Sequence, residues 1–252
     1  LWIAAGIFSM AITVLAFFPA SFLAPLVEKN SQGRLTLGDA QGTVWHGSAF
    51  IGSAPGGNVP VTPLLPGRFE WRVSPLLLLG NVEIELSNAD ALSNTLRITG
   101  NWHELHISPA AITLPAERLA SLGAPLNTIQ PSGQMRLSWQ PLQMSIAQDG
   151  MSLTGQMDWA LQDIASRLSP IKPLGAYNLH LNWQGAQATV LLTTLQGSLL
   201  LDGAGSVNNG RLVFSGTAQA APQQQEKLAN LLNLLGQRRD ANNPNIIALE
   251  FK

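Results

Sequence analysis

The 252-residue chain has no cysteine and few charged side chains. The absence of cysteine excludes disulfides and thiolate metal sites, but it does not fix the compartment, because many periplasmic proteins also lack cysteine. Lys, Arg, Asp and Glu make up 12% of the residues, about half the roughly 25% usual in soluble domains. The net charge is −1, which gives no electrostatic basis for nucleic-acid binding. The remaining polar surface is neutral and suits a domain held at a membrane or inside an assembly.

The sequence also lacks a convincing metal-binding motif. His103 and His106 flank Glu104, but a helical HExxH site needs histidines four residues apart, and here they are three apart. On a strand, positions 103 and 106 face opposite sides. We therefore interpret these residues as polar side chains at a strand turn, and we predict no metal site.

Catalytic patterns are equally weak. His46 and His180 have no Asp at a recognisable triad spacing. The glycine-rich residues 52–57 lack the Gly-Lys-Ser/Thr ending of a phosphate loop and are interpreted as a flexible loop. Glu83 and Glu85 could be imagined as a glycosidase pair, but they alternate with apolar residues, as on a solvated strand face. We predict no catalytic or cofactor-binding residue, no cofactor and no enzymatic activity.

The seven tryptophans raise the question of ligand stacking. Most of them occur at period-two positions with other apolar residues, so core packing is the better interpretation. They are Trp2, Trp45, Trp71, Trp102, Trp139, Trp159 and Trp183.

The first 27 residues carry no charge. A helix over residues 1–18, ended by Pro19, would cover about 27 Å, close to a bilayer core of about 30 Å. Trp2, Phe17 and Phe18 lie where interfacial aromatic residues belong. The sequence thus predicts a transmembrane anchor over 1–27, followed by an extramembranous domain over 28–252.

Two alternatives compete for this segment. A cleaved signal peptide needs small residues at its exit, and the best candidate, residues 14–16, lies inside the apolar run. A buried core helix normally shows a polar face, which is absent here. Because the chain begins with Leu1, we expect further residues upstream, so orientation cannot be read from flanking charges.

Most of the remaining chain alternates apolar and polar residues with period two, which is typical of half-buried antiparallel strands. Phe69, Trp71 and Val73 should share one strand face. Three similar strands are predicted near 82–86, 135–139 and 177–183. Further strands are predicted near 42–51, 95–102, 143–147, 151–161, 188–196, 198–206, 211–219 and 246–251.

Two short helices and one hairpin complete the prediction. A helix is predicted over 115–122, from a proline to Gly123. A second is predicted over 223–235, with a leucine stripe, an end at Gly236 and the helix-end cations Arg238 and Arg239. Residues 208–210, Asn-Asn-Gly, predict a tight hairpin turn.

The helix segments also suggest an internal duplication. Glu117-Arg118-Leu119-Ala120 recurs as Glu226-Lys227-Leu228-Ala229 at an offset of 109. Repeated segments of this kind indicate a repeated supersecondary unit. We predict a mainly β domain with two related halves, at about 68–139 and 176–251.

Five segments, in this order, resemble the type II secretion system protein N family, also called general secretion pathway protein N. They are GTVWHGSA at 42–49, RFEWR at 68–72, PLGAY at 173–177, SGTA at 215–218 and LLNLLG at 231–236. The resemblance implies an accessory, non-enzymatic inner-membrane component with a single span and a periplasmic domain. Its partners would be inner-membrane and periplasmic subunits of the machine that exports folded proteins across the outer membrane of Gram-negative bacteria.

One other function stays open at this point. Residues 76–79, 191–192 and 199–201 are rich in leucine. If they lined an open β groove, the protein would be a membrane-anchored carrier of lipid or another hydrophobic ligand.

Overall fold

The computed structural model describes residues 2–31, 35–53, 62–118, 126–147, 150–235, 237–238 and 246–251. Within these residues, the α-helices are α1 (Trp2–Ala16), α2 (Leu23–Asn30), α3 (Leu126–Ile129) and α4 (Gln225–Leu235). The first six strands are β1 (Thr36–Gly42), β2 (His46–Ser53), β3 (Thr62–Pro63), β4 (Phe69–Val73), β5 (Asn81–Ser87) and β6 (Leu96–Asn101). The next five are β7 (Glu104–Ile107), β8 (Ala110–Pro115), β9 (Pro131–Trp139), β10 (Leu142–Ala147) and β11 (Gly150–Ser166). The last six are β12 (Gly175–Gly185), β13 (Gln187–Gly197), β14 (Leu199–Asn208), β15 (Arg211–Ala220), β16 (Gln237–Arg238) and β17 (Ile246–Phe251).

The chain divides into two compact units, unit 1 at Leu1–Trp102 and unit 2 at His103–Lys252. The division falls inside the first of the two predicted halves, and the internal duplication stays a prediction. The mainly β, antiparallel character of the chain is confirmed in both units.

Unit 1 contains an antiparallel sheet in the order β1, β2, β4, β5, β6, with β3 pairing the end of β2. In β4, Phe69 and Trp71 are buried while Glu70 and Arg72 are exposed, as strand alternation predicts. A small core forms around Ala20, Ala49 and Trp71. Apolar side chains from the residues after α1 and from the sheet therefore pack together.

Unit 2 is built around the 17-residue strand β11. One edge of β11 pairs first with β10 and then with β9, and these two strands pair with β7 and β8. The other edge of β11 begins the series β12, β13, β14, β15 and β17, and β16 also pairs β17. Every one of these pairings is antiparallel.

The two faces of the sheet in unit 2 differ in chemistry. Paired residues point to the same side of a sheet, so the strand pairings show which side chains share a face. One face includes the pairs Trp159–Leu179 and Val190–Gly205 and is largely apolar. The opposite face, which we call the polar face, is formed mainly by neutral residues of β11 to β14. Its members include Gln156, Asp158, Gln162, Asn178, His180, Asn182, Gln184, Thr189, Leu191, Thr193, Asp202, Ala204 and Ser206.

The helix α4 covers part of the apolar face. Leu228, Leu231 and Leu232 are buried in a core with residues such as Phe214 and Ile247. The predicted leucine stripe is therefore confirmed, although the helix starts at Gln225 rather than at 223. The predicted end signals Gly236 and Arg239 lie outside the described residues.

The hairpin predicted at residues 208–210 is also confirmed. Asn208 pairs with Arg211, and Asn209 and Gly210 between them have φ values of 49° and 78°. Asn and Gly tolerate this left-handed conformation better than other residues do.

The helix α1 confirms a helix near the start of the chain, but it ends at Ala16 rather than at residue 18. Across the parts of the chain that the structure describes, no helix combines the length and the apolar character that a membrane crossing requires.

One local prediction was wrong, and another was displaced by one residue. The single strand predicted near 42–51 is two strands, because Gly42 adopts a φ of 81° and the chain turns before β2 begins at His46. The helix predicted over 115–122 begins one residue later, because Pro115 is still the last residue of β8 and pairs with Gln134. Residues 116–118 form a turn of 3-10 helix. Residues 119–122 of that prediction lie outside the described residues.

Candidate functional site

Unit 1 contains an apolar pocket of about 480 Å³ between the segment after α1 and the sheet. This volume lies within the range of about 300–1,000 Å³ that is typical of small-molecule sites. The lining side chains come from α1, α2, the turn before β2, β4, the 3-10 turn Pro75–Leu79 and β5. They are Leu15, Phe18, Leu23, Val44, Trp45, Trp71, Val73, Leu77, Ile84 and Leu86.

Backbone contacts fix the end of α1 against the turn that precedes β2. The Val44 N–H donates to the Phe18 carbonyl at 2.9 Å, and Pro19 forms an isolated β-bridge with Thr43. The indole Nε1 of Trp45 donates to the Leu15 carbonyl at 2.7 Å. The last turn of a helix leaves carbonyls without helical partners, and this indole satisfies one of them.

Trp71 forms the floor of the same site. Its Nε1 donates to the carbonyls of Thr43 at 3.3 Å and Val44 at 3.1 Å. Gly47 makes room for the ring, because a Cβ at that position would lie 2.6 Å from Trp71 Cζ2. Both pocket tryptophans therefore have their polar atoms bonded to backbone, which leaves the apolar parts of the rings to line the pocket.

The rim of the pocket carries exposed leucines. In the 3-10 turn Pro75–Leu79, Leu77 lines the pocket while Leu76, Leu78 and Leu79 are exposed, the last by 83%. The hydroxyl of Ser74 accepts a hydrogen bond from the Leu76 N–H and so caps this turn. Trp102, also exposed, lies against Gly80 at the end of the turn.

The histidine and carboxylate residues considered from the sequence do not converge on this pocket. His103 precedes β7, and within β7 His106 Nε2 lies 3.5 Å from Glu104 Oε1. Among the described residues, no group of three or more His, Asp or Glu side chains could hold a metal ion.

The remaining titratable candidates lie on sheet surfaces. Glu85 forms an ion pair with Arg97 at 3.1 Å, and Glu83 is exposed two residues away on β5. On the polar face, His180 Nδ1 lies 2.9 Å from Asp158 Oδ1. Most of the predicted glycine-rich loop, residues 54–57, lies outside the described residues.

The tryptophans only partly follow the core-packing interpretation. Trp71 and Trp139 are buried, whereas Trp2 and Trp102 are exposed. The indole Nε1 atoms of Trp159 and Trp183 are buried without a hydrogen-bond partner.

Residues 33–244 match the family model described as type II secretion system (T2SS), protein N. The chain belongs to the type II secretion system protein N family. The resemblance drawn from its five sequence segments is confirmed. No curated protein and no solved structure gives a significant match. Family membership makes the chain a component of the type II secretion apparatus, which implies contact with other subunits and a place in the cell envelope.

In this protein N family member, the matched region starts after α1 and α2. The pocket residues from Val44 to Leu86 lie within the match, while Leu15, Phe18 and Leu23 precede it. The sequence did not predict the pocket. The leucine run at 76–79 was the one available signal. It indicated an exposed apolar surface, but not which distant residues would line a pocket together with Leu77.

The core of unit 2 in this family member holds its single tyrosine. Tyr177 is buried, and its hydroxyl donates to the Leu199 carbonyl at 2.9 Å. Burial raises the pKa of Tyr177 well above its ordinary value, because the charged phenolate would lose its solvation. The hydroxyl therefore stays protonated and serves as a structural donor.

Proposed function

We propose that this protein is a non-enzymatic accessory subunit of the type II secretion system that docks against other envelope subunits. In this proposal α1 is a single-pass anchor in the inner membrane, and the β-rich remainder lies in the periplasm. The family match carries the proposal, because it covers most of the chain.

The surface of α1 supports the anchor. The helix has no charged residue in its first or last turn and no buried residue. Its 15 residues extend about 22 Å, and a bilayer can thin locally around a short apolar segment. A helix that is apolar on all sides needs an apolar environment, and the described part of unit 1 does not cover it.

The polar face of unit 2 supports a docking role. Gln156, Thr189 and Gln184 are exposed on it, and uncharged polar groups can pair across an interface at a lower desolvation cost than charges. Anchoring would hold this face near other membrane-bound subunits and raise its effective concentration there.

The arrangement of the leucine-rich segments favours docking over the carrier alternative. A carrier needs one continuous apolar trough. Leu199 is instead buried in the core, Leu192 and Leu201 pack against that core, and Leu191 is exposed on the polar face. These leucines therefore do not line a common groove in unit 2.

The test combines export with site-specific crosslinking. In a strain that lacks the gene, the full chain carrying a photocrosslinker at Gln156 or Thr189 should restore export of a folded substrate and crosslink to an inner-membrane secretion subunit. Leu234 is the matched control position, because it is exposed on α4, which packs on the opposite face. Normal export without the protein, combined with no crosslinks from the polar face, would refute the proposal.

A further inference from the structure

The apolar pocket of unit 1 offers nothing that would recognise a polar ligand. Its lining is entirely aliphatic and aromatic. The two lining N–H groups, on Trp45 and Trp71, already donate to backbone carbonyls. A polar ligand would lose its hydration in such a site without gaining new hydrogen bonds. The matching ligand is a hydrocarbon.

The position of the pocket indicates where that hydrocarbon comes from. Leu15, in the last turn of α1, and Phe18, two residues after its end, form part of the pocket wall. The same helix exposes apolar side chains along its length, among them Ile7 at 65% and Phe8 at 68%. Leu78 and Leu79, the next residues in the chain after the pocket residue Leu77, are also exposed. The pocket is thus continuous with the surface that would contact lipid.

We propose that the pocket holds one acyl chain of a membrane phospholipid. This inference rests on the proposed anchoring of α1, since the bilayer is the source of the chain. The acyl chain would fill the space between Leu15 and Phe18 on one side and Ile84 and Leu86 on the other. An apolar lining of this kind accepts apolar ligands, because it offers water no free hydrogen-bonding group. The bound chain would hold the end of the anchor at a fixed place on the sheet.

The experiment maps photocrosslinks from lipid to single residues. The full chain is reconstituted in vesicles of phosphatidylethanolamine and phosphatidylglycerol that carry a trace of phospholipid with a diazirine in one acyl chain. After irradiation, crosslinked residues are located by mass spectrometry. We expect crosslinks on α1 and also on the pocket residues Val73 and Ile84, which belong to the sheet.

Pocket-filling variants provide the control. Val73→Phe and Ile84→Phe each place a larger side chain in the cavity, so they should abolish the crosslinks at the remaining pocket residues while those on α1 persist. Val213→Phe makes the same change at an exposed position in unit 2 and should leave the whole pattern unchanged. Far-UV circular dichroism confirms that each variant is folded, and the wild-type map gives an answer even if one variant is not.

The outcomes separate the two proposals. Crosslinks on α1 alone would overturn the acyl-chain site and leave the anchor standing. No crosslinks on either would refute the anchor and this inference with it. A parallel sample with a free diazirine fatty acid distinguishes the sources, because pocket labelling by the fatty acid but not by the phospholipid would overturn the assignment to a membrane phospholipid.

Discussion

The helices α1 and α4 are both rich in apolar residues, yet they lie in opposite environments. In α4, three leucines are buried against the strands of unit 2 while Glu226 and Lys227 remain on the outer side. In α1, every residue is exposed. A polar stripe lets a helix pack one side on its own sheet and present the other to water. The helix α1 has no such stripe, and none of its residues is buried by the part of the chain that the structure describes. In the proposed function, its apolar partner is the lipid bilayer.

The largest expected effect tests the buried side of this comparison. Leu228→Ala removes a fully buried side chain from α4 and should lower the free energy of unfolding by about 2–5 kcal/mol. Urea unfolding of the full chain in mild detergent measures it. Leu234→Ala, at a position in the same helix that is 66% exposed, should change the value by no more than about 0.5 kcal/mol. Equal effects at both positions would mean that α4 does not pack as described.

The next effect tests the close packing of Trp71 against β2 in unit 1, which can be compared with the packing of α4 on the sheet of unit 2. In Gly47→Ala, the new Cβ would lie 2.6 Å from both Trp71 Cζ2 and the Gln41 carbonyl, so we expect a loss of about 1–3 kcal/mol. Gly6→Ala is the control, because nothing lies within 4 Å of its Cβ position on α1. Thermal unfolding compares the two variants. If Gly47→Ala proves as harmless as Gly6→Ala, the close approach of Trp71 to β2 is incorrect.

A smaller effect concerns the polar group inside the core of unit 2. Tyr177→Phe should cost about 0.5–1.5 kcal/mol, because the Leu199 carbonyl loses its donor. The folded-state pKa of Tyr177 lies above its unfolded value of about 10. The unfolded state therefore releases the phenolic proton first as pH rises, and stability falls above about pH 10.

In Tyr177→Phe, the fall in the free energy of unfolding above about pH 10 should be smaller, because the contribution of the phenol is missing. Unfolding followed at several alkaline pH values measures it, and because the chain has a single tyrosine, tyrosinate absorbance reports the titration directly. Ionisation of the native protein near pH 10 would show that the phenol is exposed.

The smallest effect concerns the surface of unit 1. Glu85→Gln breaks the exposed ion pair with Arg97 and should change stability by at most about 1 kcal/mol. Glu83→Gln, on the same strand face, is the matched control. Both variants should support normal export. Loss of export in either variant, with the fold intact, would contradict the interpretation of these carboxylates as a solvated strand face.

The sequence predicted those features that depend on local periodicity. Phe69 and Trp71 alternate with charged residues, and Leu228, Leu231 and Leu232 recur with the helical period, so their buried sides followed directly. The turn at Asn209 and Gly210 followed from the backbone conformations that these residues tolerate.

Features that depend on distant contacts were not predictable. The pocket joins Leu15, Trp45 and Ile84, which no local pattern connects. The turn before β2 was missed because residues 42–51 continue to look strand-like through it, and only the φ of Gly42 breaks the strand. Pro115 was placed in the helix because proline favours the first helical turn, but its pairing with Gln134 keeps it in β8, and the helical turn follows at 116–118.

The most direct test of the central claim is the membrane attachment of α1 in cells. Membranes from cells that produce the full chain are extracted with alkaline carbonate, and wild type is compared with Ile7→Lys, which places a charge in the middle of α1. A charge at the centre of an inserted helix costs about 2.5–3.5 kcal/mol on insertion scales. We expect the wild type to stay in the membrane pellet and the variant to be released in part. Complete release of the wild-type protein would contradict the account.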